Sequence, residues 1–286
     1  MRFNFSFSDA SVNVTLPHVT TSSASPANEG LFLNSLEPAV HLFKIRRILS
    51  KGYQEMYGSG RTPSAQPLLL TWKLCAEARD WYDQAPTDIP SPFNLLYRLE
   101  LLYSTITFLS PSYRDPVMCG FSKALLFDRC IDYVSQFHQV AVDSSGLSLA
   151  TYLDIQRVLQ IGRRFVTILD EDYDLLISNT VPDVPTVPPG TPEPPYLAAE
   201  DRINCHARAL RCLVYIEDIL QYGVRRWNTR CDYDGFVRDA AGVKARLEQR
   251  SPYQTTRPGF VSGAPVAVNG YQYVNQTYYP NMTSHE

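Results

Sequence analysis

INCHARALRCLVYIEDILQYGVRRW, residues 203–227, carries the most regular apolar pattern in the chain. Its apolar residues recur in steps of three and four, which is the spacing of one face of an α-helix. These residues are Ala209, Leu213, Ile216, Leu220, Val224 and Trp227. The pattern predicts a helix that buries one face against other helices.

The same helical period recurs along most of the chain. It predicts six further helices, over residues 36–56, 66–84, 92–108, 121–141, 152–169 and 232–249. The third of these is apolar on nearly every side, so we expect it at the centre of a helical core. No series of alternating strands and no tandem repeat accompanies the helices. The sequence therefore predicts an all-α fold, with about seven helices in a single helical domain over residues 34–250.

Two flanking segments and one internal loop depart from this helical pattern. Residues 1–33 are rich in Ser, Thr, Asn and Pro, which predicts a flexible N-terminal segment. Residues 251–286 consist mainly of Pro, Gly, Asn, Gln and Tyr with almost no charge, which predicts a disordered tail. Residues 181–195 contain seven prolines, which exclude a helix and favour an extended polyproline loop between two helical blocks.

The composition excludes several classes of protein. The chain has 286 residues, of which 44% are hydrophobic and 19% charged, as in globular proteins, and its net charge is -3. A protein that coats nucleic acid or an anionic membrane is expected to be basic, so any such contact must be local. No apolar run approaches the length of a membrane span, and the first residues lack the apolar core of a secretory signal. We therefore expect an intracellular protein with no membrane partner.

Two basic patches interrupt this weakly acidic background. The first consists of Lys44, Arg46, Arg47, Lys51 and Arg61, with Glu55 as the one acid among them, and the second of Arg225, Arg226 and Arg230. Either patch is able to contact phosphate or an acidic partner. The alternative interpretation is that both are solvated helix faces, because too few aromatic residues lie between the cations to stack on bases.

Cysteine and histidine spacing gives no metal site. The six cysteines are Cys75, Cys119, Cys130, Cys205, Cys212 and Cys231, and no two of them form the close pair that a structural zinc site requires. Most fall on apolar helix faces, which predicts reduced thiols in the core. We expect His41 and His138 on helix surfaces. The sequence assigns no catalytic, cofactor-binding or metal-ligating residue.

One acidic motif suggests an enzyme as an alternative. Residues 170–174 read DEDYD, and the acids Asp170, Glu171 and Asp174 match the D-D-x-x-D pattern with which class I terpene synthases hold Mg²⁺. Carboxylates one helical turn apart share a face, and hard cations prefer oxygen ligands. However, residues 165–201 contain eight acids and no Lys or Arg to hold a diphosphate. The alternative interpretation is a solvated acidic helix end.

Several ordered motifs resemble one protein family. AVHLFKIRRILS, residues 39–50, with Tyr53, Met56 and Tyr57, resembles the "hLFkLrrIqSeI...lY" stretch of the fungal-specific transcription factor domain. Similar motifs follow in the family's order: Trp72, Leu74, Trp81 and Pro86, then Leu99 to Tyr103, Phe108 to Ser112, Ile203 to Trp227, and Phe236. The resemblance covers residues 36–249.

The resemblance implies a fungal regulator of transcription that is located in the nucleus and has an all-helical effector domain. Family members open with a six-cysteine zinc cluster and a dimerising coil, and this sequence contains neither. We therefore expect the protein to contact DNA only indirectly, through other transcription regulators. By analogy, the expected targets are the genes of a secondary-metabolite cluster. A small-molecule effector bound between the helices is left open, and the remaining alternative is an inactive helical scaffold.

Overall fold

The computed structural model describes residues 37–57, 66–86, 91–112, 116–142 and 150–249, all within one compact unit. In this part of the chain there are eight α-helices and no strand, which confirms the all-α prediction. The helices are α1 (Glu37–Tyr57), α2 (Pro67–Asp83), α3 (Ser91–Leu109), α4 (Gly120–Val142), α5 (Tyr152–Glu171), α6 (Tyr173–Ile177), α7 (Cys205–Trp227) and α8 (Arg230–Gln249). The segments 1–33 and 251–286, which the sequence predicts to be flexible and disordered, lie outside the described residues.

Helix α5 illustrates how local sequence sets the helix boundaries. Thr151 is its N-cap, and the Thr151 hydroxyl accepts a hydrogen bond from the Asp154 backbone N–H at 3.4 Å. In return the Asp154 carboxylate accepts one from the Thr151 N–H at 2.9 Å, which completes a capping box. The helix buries the predicted stripe, including Ile155, Leu159 and Val166, against α7 and α8.

The helices enclose two apolar clusters that meet at α3. The larger cluster involves α4, α5, α7 and α8, and contains the predicted stripe residues Leu213 and Ile216 of α7. The smaller one lies between α1, α2 and α3 and contains Ile45, Trp81 and Phe108. Residues 104–109 of α3 are all buried, whereas Asn94 and Arg98 in its first half are exposed. The expectation that α3 lies at the centre of the core therefore holds for its C-terminal half.

The chain between α5 and α7 contains two elements that periodicity did not predict. Helix α6 has only five residues and follows α5 after Asp172. A single turn of 3₁₀ helix, Glu200–Arg202, precedes α7. Between α6 and this turn, residues 181–195 form no helix and no strand, as their prolines predict. No helix formed by the described residues combines the length and apolarity needed to cross a bilayer.

Candidate protein-interaction surface on helix α1

Helix α1 has one buried face and one exposed face. The buried face consists of Pro38, His41, Ile45, Leu49, Ser50, Gly52 and Met56. On the other side Phe43 is 57% exposed, and both Lys44 and Arg47 are exposed. Phe43 and Lys44 lie four and three positions before Arg47, so each of them neighbours Arg47 on the helix surface. We call these three residues the α1 surface. Phe43 is the only exposed phenylalanine among the described residues.

Two of the four cations between residues 44 and 51 are neutralised by neighbouring helices. The Nη2 atom of Arg46 lies 2.6 Å from Oε1 of Glu100, a carboxylate that is 1% exposed. The Nζ atom of Lys51 lies 3.0 Å from Oε1 of Glu77 on α2. The basic patch is therefore partly a set of contacts that attach α1 to α2 and α3, and its surplus charge is smaller than the sequence suggests.

The surplus charge is concentrated on the α1 surface. Lys44 and Arg47 form no ion pair with any described residue. A solvent-open surface depression lies along the same flank of the helix. The described residues that line it are Lys44, Arg47, Ile48, Lys51 and Gln54. Cationic groups with aliphatic stems, next to an exposed aromatic ring, suit an acidic partner that also carries apolar side chains.

An aromatic cluster behind α1 fixes the position of this surface. The imidazole of His41 stacks on Trp81 at 4.7 Å between ring centroids and lies 5.0 Å from Tyr97. The Tyr97 hydroxyl donates a hydrogen bond of 3.0 Å to the backbone carbonyl of Pro38. These contacts hold the N-terminal half of α1, so the backbone that carries Phe43 is attached to α2 and α3.

The prediction that His41 lies on a helix surface is wrong, because its side chain is 4% exposed. The residue lies four positions before Ile45 and so belongs to the buried stripe of α1. Burial lowers the pKa of the His41 imidazole, and the nearby Lys44 acts in the same direction. The Nε2 atom has no hydrogen-bond partner in the structure. His41 is therefore neutral at pH 7 and stabilises the surface only through packing.

Glu100 connects the α1 region to the rest of the fold. Its Oε1 atom accepts hydrogen bonds from Arg46 at 2.6 Å and from Arg157 of α5 at 2.8 Å. The guanidinium of Arg157 also lies 4.6 Å from the centre of the Tyr103 ring. One buried carboxylate thus joins three helices, which makes it a structural residue and leaves it inaccessible to a partner.

The second basic patch has local structural partners. Arg225 and Arg226 lie in the last turn of α7, where cations compensate the negative end of the helix dipole. The Arg226 guanidinium lies 5.3 Å from the centre of the Trp227 ring, and Arg230 pairs with Asp234 at 3.4 Å. These contacts favour a structural role. Arg61 of the first patch lies outside the described residues.

The acidic motif at 170–174 does not form a shared helix face. Asp170 belongs to α5, which ends at Glu171, whereas Asp174 belongs to α6. Asp172, between the two helices, pairs with Lys123, and the carboxylate of Asp174 lies 3.8 Å from Arg246. Within the described part of the chain, no group of three or more His, Cys, Asp or Glu side chains is placed to hold a metal ion. The helix break removes the one-turn spacing on which the terpene-synthase interpretation depends.

The cysteines are mostly core residues, as the sequence predicts. Cys75, Cys130, Cys205 and Cys212 are buried, Cys119 is half-buried and Cys231 is exposed, and all six are free thiols. Burial raises the pKa of Cys75 and of Cys130 to about 12. Because the thiolate is the nucleophile, these buried thiols are unreactive at neutral pH.

His138 is only partly on a surface. Its side chain is 14% exposed, stacks on the Tyr215 ring at 4.0 Å, and lies 3.2 Å from the Asp218 carboxylate. It therefore joins α4 to α7 and has a packing role.

One buried charged cluster gives no signal in the sequence pattern. Arg202 is 0% exposed, and its Nη1 atom lies 3.4 Å from the carboxylate of Asp128, which also pairs with Arg208 at 2.6 Å. Burial raises the pKa of Asp128 to about 6, although Arg208 and Arg202 act against this shift. A single arginine at the edge of a loop gives no periodic signal, so its burial depends on partners distant in sequence.

Comparison with known proteins identifies no relative. No family model, no curated protein and no solved structure matches the chain.

Proposed function

We propose that the protein is a transcription co-regulator that acts in the nucleus by binding another transcription regulator through the α1 surface. The observation that carries the proposal is the exposed Phe43 beside Lys44 and Arg47, two cations without an ion pair among the described residues. Support also comes from the sequence of α1, since residues 39–50 resemble the fungal-specific transcription factor domain. The protein reaches DNA only through this partner.

The chemistry of the α1 surface favours an acidic protein segment as the partner. Burying the Phe43 ring against an apolar side chain supplies affinity, because aromatic residues dominate the energetics of protein interfaces. Lys44 and Arg47 orient an acidic segment and accelerate its association. Direct binding to DNA is less favoured, since the chain has a net charge of -3 and Arg46 and Lys51 are already paired.

The target genes follow from the resemblance and from analogy alone. We propose a secondary-metabolite biosynthetic gene cluster of a fungus as the regulated set. The sign of regulation and the identity of any small-molecule effector are not part of the proposal.

The test compares transcriptomes of a fungal strain from which the gene is deleted. The strain is complemented with the tagged wild-type protein, with Lys44→Glu/Arg47→Glu, or with the control Arg211→Glu/Arg238→Glu. The control makes the same charge change at two exposed cations of α7 and α8 that form no ion pair with any described residue. We expect nuclear signal in all three, and restoration of one coherent gene set by the wild type and the control alone.

Two results would contradict the proposal. An unchanged transcriptome on deletion would favour the inactive helical scaffold. Full restoration by Lys44→Glu/Arg47→Glu would show that regulation does not depend on the α1 surface. Circular dichroism and the free energy of unfolding of the purified variants distinguish lost contacts from a lost fold, because exposed charge substitutions normally change stability by less than about 0.5 kcal/mol.

A further inference from the structure

The proline-rich segment between α6 and α7 consists of two stretches without helix or strand, which we call its legs. Their prolines fix φ at about −65° and favour an extended backbone at the residue before each proline. The legs are joined by a turn in which the Thr191 backbone N–H donates to the Pro188 carbonyl at 3.2 Å. Gly190 has φ +83°, a value that favours glycine at this position of a turn. The first leg therefore ends at Pro188 and the second runs from Thr191 to Tyr196.

Two arginines, the buried Arg202 and the half-buried Arg129, attach this segment to the helical body. The Arg202 guanidinium donates to the carbonyls of Ser178 at 3.0 Å and Thr180 at 3.2 Å, and it also pairs with Asp128. Farther along, Arg129 donates to the Tyr196 carbonyl at 2.6 Å. Both ends of the segment are thus fixed by charge-assisted hydrogen bonds, so the legs are held in an extended conformation before any partner binds.

Exposed side chains occur along the whole segment. The exposed residues are Val181, Asp183, Val184, Thr186, Pro189, Gly190, Glu193 and Tyr196. On the second leg these are Glu193 and Tyr196, three positions apart, and because a polyproline II helix has three residues per turn, the two share one edge. Pro189 is exposed and the other six prolines of residues 181–195 are half-buried, so no proline of this segment is fully buried. The Tyr196 side chain is 76% exposed.

We propose that the second leg, Thr191 to Tyr196, is a docking segment for a polyproline-binding domain with an aromatic-lined groove. Such grooves recognise prolines in the extended conformation, and a segment that is already ordered loses little entropy on binding. Tyr196 is the anchor that enters the groove, next to Pro194 and Pro195. This inference rests on a different surface from the one in the proposed function and does not depend on it.

Charge specifies the groove further. Glu193 shares the exposed edge with Tyr196, and residues 165–201 contain eight acids and no Lys or Arg. The partner's groove therefore has basic residues at its rim. The same charge disfavours nucleic acid as the occupant, because phosphates would be repelled.

The test uses the full-length protein and a panel of purified WW, SH3 and EVH1 domains. Binding is measured by calorimetry for the wild type, Tyr196→Ala, Glu193→Lys and the control Tyr152→Ala, which removes a tyrosine that is 44% exposed at the start of α5. We expect at least one domain to bind, with affinity about tenfold weaker for Tyr196→Ala and for Glu193→Lys and unchanged for Tyr152→Ala. Decaproline is expected to compete for the groove.

Two outcomes would overturn the inference. One is that no domain of the panel binds the wild-type protein. The other is that a bound domain is not displaced by decaproline or keeps its affinity for Tyr196→Ala. The substituted side chains are exposed, so the variants retain the fold, and near-identical circular dichroism spectra verify this. If the Lys44→Glu/Arg47→Glu variant binds the same domain with wild-type affinity, the docking segment is independent of the α1 surface.

Discussion

The indole Nε1 atom of Trp81 lies 2.7 Å from the backbone carbonyl oxygen of His41, to which it donates a buried hydrogen bond. The same two residues stack through their rings. A carbonyl in the middle of a helix already accepts a bond from the following turn, so this second bond fixes α1 laterally against α2. Trp81 thus makes two contacts, one polar and one aromatic, that position the helix carrying the α1 surface.

Replacing Trp81 with Phe is expected to lower the free energy of unfolding by about 2 kcal/mol, from lost volume and a lost hydrogen bond. Trp72→Phe is a matched control, because Trp72 is also buried but its Nε1 atom has no partner in the structure. Trp72→Phe should therefore lower the free energy of unfolding by about 1 kcal/mol less than Trp81→Phe does. Urea denaturation followed by circular dichroism measures both, and equal losses would contradict a stabilising role for the hydrogen bond.

Acidification is expected to weaken the fold through His41. Burial lowers the pKa of this imidazole in the folded protein. Below the unfolded pKa of about 6.5, the unfolded chain binds a proton that the folded state does not bind. The free energy of unfolding then falls as the pH falls, by up to about 1.4 kcal/mol per pH unit from this group.

The His41→Gln variant isolates that contribution, because glutamine does not titrate. The free energy of unfolding is measured between pH 7.5 and 5.5 for both proteins, and the wild-type curve should have the steeper slope. Other titrating groups, including Asp128 with its pKa of about 6, contribute equally to both curves and cancel in the difference. Parallel curves would mean that folding does not lower the pKa of His41.

Apolar periodicity was sufficient to predict seven of the helices, with boundaries within about two residues of the structure for most of them. Helix α5, for example, was expected over residues 152–169 and extends from Tyr152 to Glu171. The pattern works because each helix buries a regular stripe, which is a local property. Helix α6 has only five residues, too few to establish a period, and was missed.

The polar contacts could not be predicted, because they depend on residues distant in sequence. Arg46 appeared to belong to a basic surface, but its partner Glu100 lies 54 positions away. Arg202 reaches Asp128 across 74 positions. The sequence shows the α1 surface only as part of a larger basic patch. Lys44 differs from Arg46 because the fold places a carboxylate beside Arg46 and, among the described residues, none beside Lys44, and the sequence does not show this.

The two ion pairs of α1 are expected to differ sharply in their contribution to stability. Glu100→Gln leaves Arg46 without a charged partner and Arg157 with Asp154 alone, 3.7 Å away, so we expect a loss of about 2 kcal/mol. Glu77→Gln breaks the exposed pair with Lys51 and should cost less than about 1 kcal/mol. Urea denaturation of the wild type and of the two variants measures both losses.

Salt provides the control for this comparison. Exposed pairs are screened at high ionic strength, whereas buried pairs are screened much less. In 1 M NaCl the effect of Glu77→Gln should vanish and that of Glu100→Gln should persist. A Glu100→Gln effect that also disappears in salt would contradict the burial of this carboxylate between α1 and α5.

Helix α1 approaches α3 closely at Gly52. A Cβ atom added to Gly52 would lie 2.5 Å from Cε1 of Phe108, a ring that is 0% exposed, and 3.2 Å from Cδ1 of Leu74. Gly52→Ala should therefore push α1 away from α3 and cost about 2 kcal/mol, despite the better helix propensity of alanine. Gly242 of α8 is the control, because a Cβ atom there meets nothing within 4 Å. Gly242→Ala should raise the free energy of unfolding by about 1 kcal/mol. If urea denaturation gives changes of opposite sign for the two substitutions, the close approach of α1 to α3 explains why residue 52 is a glycine.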